Sequence, residues 1–157
     1  MWSKRRRTRA SNSRSKFGSS EVARVPEERL RFQEFGFQRL ANGRCRAKVV
    51  LTWSDGRRFE GSSDGVSSQT GELRCCAVAA VNALEQAVQP RLTFELLGVK
   101  AVRAFDATVV IVSLSARAEE TTRLVGSCLT EVDPPRGAAL AVLNATNRLL
   151  GNYLTTR

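Results

Sequence analysis

The chain repeats itself loosely, and this internal duplication limits its fold more than any other feature of the sequence. Four residues recur 62 positions later: Arg29, Leu30, Phe32 and Gly36 as Arg91, Leu92, Phe94 and Gly98. Further matches follow at offsets of 60, 65 and again 62: Val49-Val50-Leu51 with Val109-Val110-Ile111, Glu60-Gly61-Ser62 with Val125-Gly126-Ser127, and Asn82-Ala83 with Asn144-Ala145. Because the offset changes only between matching segments, the length differences lie in connections, as expected for a duplicated structural unit.

The first unit, residues 29–88, is predicted to hold three strands and a helix. Asn42-Gly43 and Ser54-Asp55-Gly56 are typical hairpin turns, and they separate apolar alternating segments at about 29–40, 45–53 and 58–62. A Gly/Ser-rich connection, residues 61–71, then leads to apolar residues spaced three and four apart, which predict a helix over about 72–88.

The second unit, residues 91–150, repeats this order. Strands are predicted at 92–103, 108–116 and 123–129, with Phe105-Asp106-Ala107 as the first turn. Asp133 before Pro134-Pro135 is typical of a helix cap, and the helix is expected to end near Gly151. The sequence therefore predicts an α+β domain, residues 27–157, with duplicated βββα units and antiparallel sheets each covered by a helix on one face. The other face needs cover, and dimerisation is the expected source.

The positive charge is concentrated at the amino terminus. Residues 1–16 contain no acid, and the remaining residues carry 18 basic and 15 acidic side chains, a net charge of +3. Residues 1–26 are therefore predicted to form a flexible basic arm, with these cations as candidate contacts for nucleic acid or another anion: Lys4, Arg5, Arg6, Arg7, Arg9, Arg14 and Lys16. An anionic membrane, a targeting role and a merely solubilising tail are the alternatives.

Arginines of the first unit could extend such a basic patch. Arg24, Arg29, Arg31, Arg39, Arg44 and Arg46 lie near phenylalanines that could stack on bases. Sheet core is the simpler interpretation of Phe32, Phe35 and Phe37, because the copies of Phe35 and Phe37 in the second unit are aliphatic.

Several classes of protein are disfavoured by composition. No segment approaches the roughly 18 consecutive apolar residues of a membrane helix, and the amino terminus lacks the apolar core of a secretory signal. We expect a soluble, cytoplasmic protein. The four cysteines form no CxxC pair and are interpreted as small buried hydrophobic residues, so no metal site and no cofactor are expected.

Catalytic residues are not apparent. The sequence contains no histidine, so it has no Ser-His or Cys-His pair, and Asp64, Asp106 and Asp133 fit turns or caps better than a carboxylate dyad. Phosphate-binding motifs of the Walker or Rossmann type are also missing. We expect a protein without enzymatic activity.

The second unit carries a resemblance to a known family. Val99-Lys100-Ala101-Val102, Phe105-Asp106-Ala107, Val125-Gly126-Ser127 and the Val132-Asp133 start of an Ala-rich helix resemble the carboxy-terminal regulatory domain of 2-isopropylmalate and citramalate synthases. The resemblance spans about residues 29–150. It implies a homodimeric module that senses leucine or isoleucine where its two units and two subunits meet, here as a stand-alone chain without the catalytic barrel.

The resemblance also implies ligand-binding residues. By position these are Gly61 and Gly65 in the first unit and Gly126, Ser127 and Asp133 in the second. Unpaired amides at a helix start favour a carboxylate, which fits an amino-acid effector. Three interpretations stay open: an effector-binding or interaction module, a nucleic-acid-associated protein that uses its arm, and a structural subunit of a larger assembly.

Overall fold

The computed structural model describes residues 29–154, with the side chains of 152–154 excepted, and it alternates three strands with one helix twice. The strands of the first unit are β1 (Arg31–Arg39), β2 (Arg44–Thr52) and β3 (Arg58–Val66), followed by helix α1 (Gln69–Val88). The second unit contains β4 (Thr93–Ala104), β5 (Ala107–Arg117), β6 (Thr121–Thr130) and helix α2 (Pro134–Leu154). The predicted arm, with Lys4 to Lys16, lies outside the described residues.

Each unit forms its own three-stranded antiparallel sheet. The strand orders are β1-β2-β3 in the first sheet and β4-β5-β6 in the second, and each sheet is followed by a helix. The predicted α+β fold with a duplicated βββα arrangement is therefore confirmed. The Asn-Gly turn is also confirmed, since Asn42 and Gly43 both have positive φ, at 69° and 67°.

One face of each sheet packs against the helices. Along β2, buried Cys45, Ala47 and Val49 alternate with exposed Arg44, Arg46 and Lys48, as the two-residue period of a strand requires. Helix α1 contacts β2, β3, β4 and α2, so that nearly all of its apolar surface is buried in a core common to both units. Phe32, Phe35 and Phe37 are half-buried and pack against this core, so they face it without being fully enclosed.

Strand pairing corrects the sequence alignment of the two units. Val49 pairs with Gly61, whereas Val112 pairs with the matching Gly126, so the counterpart of Val49 is Val112 and not Val109. The offset between β2 and β5 is therefore 63, and the sequence match at 60 was wrong. An odd shift exchanges the two faces of a strand, and a run of consecutive apolar residues does not reveal which face is inside.

The first strands of the two units also correspond differently from the sequence match. Both contain a bulge, between Phe32 and Glu34 in β1 and between Leu96 and Gly98 in β4. The two bulges lie at matching places in the two sheets, so Leu96 is the counterpart of Phe32. The offset between β1 and β4 is therefore 64, and not the 62 of the sequence match. Only the helices keep the original offset, since Asn82 and Asn144 donate to the equivalent carbonyls of Ser62 and Ser127, both at 2.8 Å.

A glycine lies beneath each helix and lets the helix backbone contact the strand. A Cβ atom on Gly61 would overlap the carbonyl oxygen of Ala79 and the amide nitrogen of Ala83. Gly126 has the same relation to Ala141 and Ala145 of α2. These glycines therefore serve helix-sheet packing, and neither leaves room for a ligand on its helix side.

Two element boundaries differ from the prediction. β3 continues to Val66 and α1 begins at Gln69, so most of the Gly/Ser segment expected as a connection is strand. Its glycines face a close helix and its polar residues pair with β2, which keeps the segment extended. α2 passes Gly151 and ends at Leu154, since Gly151 is accommodated within the helix.

We predict that Gly61→Ala and Gly126→Ala each lower the free energy of unfolding by about 3 kcal/mol or more, because the overlapping atoms belong to a helix backbone that cannot rotate away. Gly98→Ala is the control, since nothing lies within 4 Å of the added Cβ in this strand. Urea unfolding of the three variants measures the effect. Equal stability of Gly98→Ala and Gly126→Ala would contradict the packing role.

Candidate functional site

The start of α1 is closed by polar contacts. Ser68 caps the helix by accepting a hydrogen bond from the amide of Gly71 at 3.0 Å. Glu72 is the next residue along the helix, and both of its carboxylate oxygens accept hydrogen bonds from Arg39, at 2.7 and 2.9 Å. Its Oε1 atom also accepts a hydrogen bond from the Ser67 hydroxyl, at 2.7 Å. The end of β1 is thereby tied to the first turn of α1.

Electrostatics favours the charged form of Glu72. The hydrogen bond from Arg39 lowers the pKa of this carboxyl below its ordinary value, and the Ser67 hydroxyl acts in the same direction, while burial opposes them. The folded chain therefore holds an ionised Glu72 beside the positive end of the helix dipole.

The start of α2 is open by comparison. At the offset of 62 shared by the helices, Pro134 corresponds to Glu72, so α2 lacks a counterpart of the first three residues of α1. Gly137 of α2 corresponds to Cys75 of α1, so α2 has no side chain at this position. A depression of ≈ 120 Å³ results, lined by Cys128, Leu129, Thr130, Val132, Asp133, Arg136, Gly137 and Leu140.

The depression is mainly apolar, and its lining includes one cation, Arg136, and one carboxylate, Asp133. Asp133 caps α2 by accepting the amide hydrogen of Arg136 at 3.1 Å, and its own amide donates to the Thr130 hydroxyl at 3.0 Å. The Arg136 guanidinium lies over the Phe32 ring of β1, 5.4 Å from its centroid. Arg136 is therefore the group that could face a carboxylate, while burial raises the pKa of the neighbouring Cys128 thiol and keeps it neutral.

The structure brings one of the five candidate ligand residues to this depression, namely Asp133. Gly61 and Gly126 lie beneath the helices, and Gly65 is packed against Cys45 and Cys75. Ser127 is exposed, and its carbonyl is bound by Asn144. Cys128, Arg136 and Leu140 were missed by sequence reasoning, although the unequal starts of the two helices in the duplicated alignment could have indicated them.

The outer faces of the two sheets differ in character. The outer face of the first sheet carries three cross-strand ion pairs: Arg46–Asp64 at 2.6 Å, Lys48–Glu60 at 3.1 Å and Arg58–Glu34 at 3.1 Å. Val50 in the middle of this face lies between Glu34 and Glu60 and is buried. The outer face of the first sheet is therefore polar and suited to solvent exposure.

The outer face of the second sheet is apolar at one end. Val102, Val109 and Leu129 are direct neighbours across its three strands. Further along the same face, Ile111 lies between Lys100 and Ser127, and Val125 lies beside Ser113. The exposed fractions are 67% for Leu129 and 69% for Val125. The other end of the face is polar, with Glu95, Ser115 and Arg123 side by side, so the only row of three apolar residues on this face lies at the end that adjoins the depression.

Arginines proposed to extend a basic patch are partly neutralised. Arg39 is bound to Glu72 and Arg46 to Asp64. Both carboxylates have a pKa below the ordinary value, chiefly because of hydrogen bonds from these arginines, so they stay charged at neutral pH. The net positive potential of the first sheet is therefore smaller than its arginine content suggests.

The sequence matches no family model, and no curated protein is significantly similar to it. Within residues 29–154, none of the helices has the length and apolar character needed to cross a membrane. In the same range, no three His, Cys, Asp or Glu side chains are grouped so that they could hold a metal ion.

Stability should depend on Glu72 in a pH-dependent manner. Its folded-state pKa is depressed, so its contribution is present above the unfolded pKa of about 4.3 and is lost as the pH falls through the lower folded value. We expect Glu72→Gln to lower the free energy of unfolding at pH 7 by about 1 kcal/mol, since Arg39 is 68% exposed and water weakens the pair.

Urea titrations at pH 7 and pH 3 check this, with Glu60→Gln as the control in a pair exposed at both ends. The difference between Glu72→Gln and the wild-type chain should shrink at pH 3. A difference of the same size at both pH values would rule out the ion pair as its cause.

Proposed function

We propose that the chain is a non-catalytic, homodimeric regulatory or interaction module. In this proposal two copies associate through the apolar outer face of the second sheet, and the depression at the start of α2 receives a small carboxylate effector. The resemblance of the second unit to the regulatory domain of 2-isopropylmalate and citramalate synthases supports both parts. Dimerisation and effector sensing are properties which that resemblance implies.

The contrast between the two outer faces carries the proposal. Both sheets are covered by helices on one side, but the first exposes ion pairs and the second exposes Val125, Leu129 and their neighbours. Exposed apolar side chains grouped on one face of a sheet are typical of an interaction site in a folded protein. Covering each such side chain is worth about 1 kcal/mol or more, so the second sheet has the stronger tendency to associate.

The depression supports an effector of limited size. Its volume of ≈ 120 Å³ is well below the roughly 300–1,000 Å³ of typical ligand pockets, so a compact molecule fits best. Apolar walls from Leu129, Val132 and Leu140 suit a short aliphatic side chain, and Arg136 suits a carboxylate. A branched-chain amino acid or a short 2-oxo acid combines these two features.

The alternative function is association with nucleic acid or with a larger assembly through residues 1–16. Its support is the sequence of that segment, which has seven cations and no acid. On the described surface, Arg39 and Arg46 are already bound to carboxylates. The homodimeric module is therefore the better supported of the two proposals.

Two exposed valines on the outer faces of the two sheets test the interface. Val125 and Val66 both face outward on edge strands, exposed by 69% and 56%, but on the second and first sheet respectively. We expect Val125→Glu to weaken the dimer by about 2 kcal/mol or more, because a carboxylate would be desolvated at the interface. Val66→Glu should leave the dissociation constant unchanged.

Sedimentation equilibrium over a range of protein concentrations measures both dissociation constants. A wild-type chain that stays monomeric at tens of micromolar would overturn the proposed dimer. Equal weakening by the two variants would show that the second sheet has no special role.

Effector binding should appear as thermal stabilisation. A ligand at about 100 times its dissociation constant stabilises the native state by roughly 2.7 kcal/mol, which raises the melting temperature by a few degrees. Leucine, isoleucine, valine and short 2-oxo acids form the set to screen. Arg136→Gln should abolish the shift, whereas Arg74→Gln, at the corresponding position of α1, should preserve it. No shift of the wild-type protein with any of these compounds would exclude the effector part of the proposal.

A further inference from the structure

Phe105 occupies an unusual position in the turn between β4 and β5. Its side chain is fully exposed, at 100%, and its φ of 56° lies in the left-handed region that bulky residues rarely adopt. Asn or Gly would be the expected residue in such a two-residue turn. Local conformation and solvation both disfavour phenylalanine here, so a contact outside the described residues of one chain is the most direct reason for its presence.

The turn projects from the apolar end of the second sheet. Val102 and Val109 flank it on β4 and β5, and Leu129 lies beside Val109 on β6. Val132, which is almost fully exposed, follows β6 at the same end and also lines the depression. Phe105, the apolar face and the depression are therefore grouped at one end of the second unit.

The area of the sheet face indicates that an interface must extend beyond it. Three strands about 4.8 Å apart and about ten residues long offer roughly 500 Å² on one face, and only part of this face is apolar. A standard stable interface needs roughly 800 Å² from each partner. The additional apolar surface closest to the face is formed by Phe105, Val132 and the walls of the depression.

We propose that Phe105 of one copy packs over the depression at the start of α2 of a second copy, and that the contact is reciprocal. The inference rests on the proposed homodimer and specifies its geometry. An aromatic ring supplies the apolar wall that the small, open depression lacks, against Leu129, Val132 and Leu140. The ring also meets the guanidinium of Arg136, which already lies over the ring of Phe32 in its own chain. In a two-fold dimer the same surface serves on both subunits, so each copy both offers a ring and receives one.

The contact makes the ligand site shared between subunits. A molecule held against Arg136 would touch the partner's phenylalanine ring, so ligand binding and dimer formation strengthen each other. The melting shift produced by an effector should then be larger at protein concentrations above the dimer dissociation constant than below it.

Cysteine cross-linking tests the geometry directly. Cys128 is half-buried in the depression and is the partner expected for a thiol at position 105. Within one chain the two positions cannot be bridged. Cys128 pairs with Val110, which is five residues along the chain from Phe105, so positions 105 and 128 are roughly 15 Å apart. A disulfide needs Cα atoms within about 7 Å. Treatment of Phe105→Cys with diamide, which oxidises thiols, should produce a covalent dimer on non-reducing gels. Phe105→Cys combined with Cys128→Ser should not produce it.

Phe105→Ala tests the energetic contribution of the ring. We expect it to raise the dimer dissociation constant about 30-fold, as for an interface hot spot, with an unchanged or higher melting temperature of the monomer because the side chain is exposed there. The control is Leu40→Ala, a partly exposed apolar residue beside the corresponding β1–β2 hairpin.

The outcomes separate this inference from the proposed function. A normal dissociation constant for Phe105→Ala together with a weakened Val125→Glu dimer would overturn the Phe105 contact and leave the sheet interface intact. A monomeric wild-type chain would overturn both. Cross-linking that persists without Cys128 would place the two turns against each other instead of over the depressions and would also overturn the inference. If Phe105→Ala destabilises the monomer, the ring contributes to the stability of its own chain, and the proposed contact is wrong.

Discussion

The fold depends on the contact between each helix backbone and a glycine in the third strand of its unit. Gly61 and Gly126 allow the helices to approach the sheets so closely that no side chain could stand between them. At this distance Asn82 and Asn144 reach the carbonyl groups of the strand residues that follow the glycines. Small residues above the contact, such as Ala83 and Ala145, complete it. A single geometric requirement therefore explains the Gly-Ser and Asn-Ala pairs that recur in the sequence.

Duplication preserved this contact while the rest of the two units diverged. The first unit has a complete first helical turn, a buried Glu72 and an ion-paired outer face. The second unit has a shorter helix start, a depression and an apolar outer face. The inner surfaces are similar because both helices share one core. Divergence is concentrated where packing imposes no requirement, which is where specific function can develop in a duplicated fold.

The sequence was sufficient to predict the order of elements, the hairpin turns and the cap at Asp133. These features depend on local chemistry: alternation in strands, three- and four-residue spacing in helices, and positive φ at Asn42 and Gly43. Strand register was not predictable in the same way. Val49-Val50-Leu51 and Val109-Val110-Ile111 are similar in sequence. Their pairing with β3 and β6 nevertheless places the residues matched at the offset of 60 on opposite faces of their sheets. The segment after Gly61 looked like a loop because glycine and serine serve both in turns and beneath close helices. The depression is a difference between two helix starts, so neither unit reveals it alone.

Burial of the cysteines has a practical consequence for the chemistry of the chain. Desolvation raises the pKa of Cys75 to about 11, and it raises the pKa of Cys76 further. Cys75 and Cys76 therefore stay protonated at neutral pH, and Cys45 is equally inaccessible to reagents in the core. Cys128 is the only one of the four thiols that is not fully buried. A maleimide dye or a spin label should therefore attach at this position alone in the folded protein and provide a site-specific probe at the start of α2.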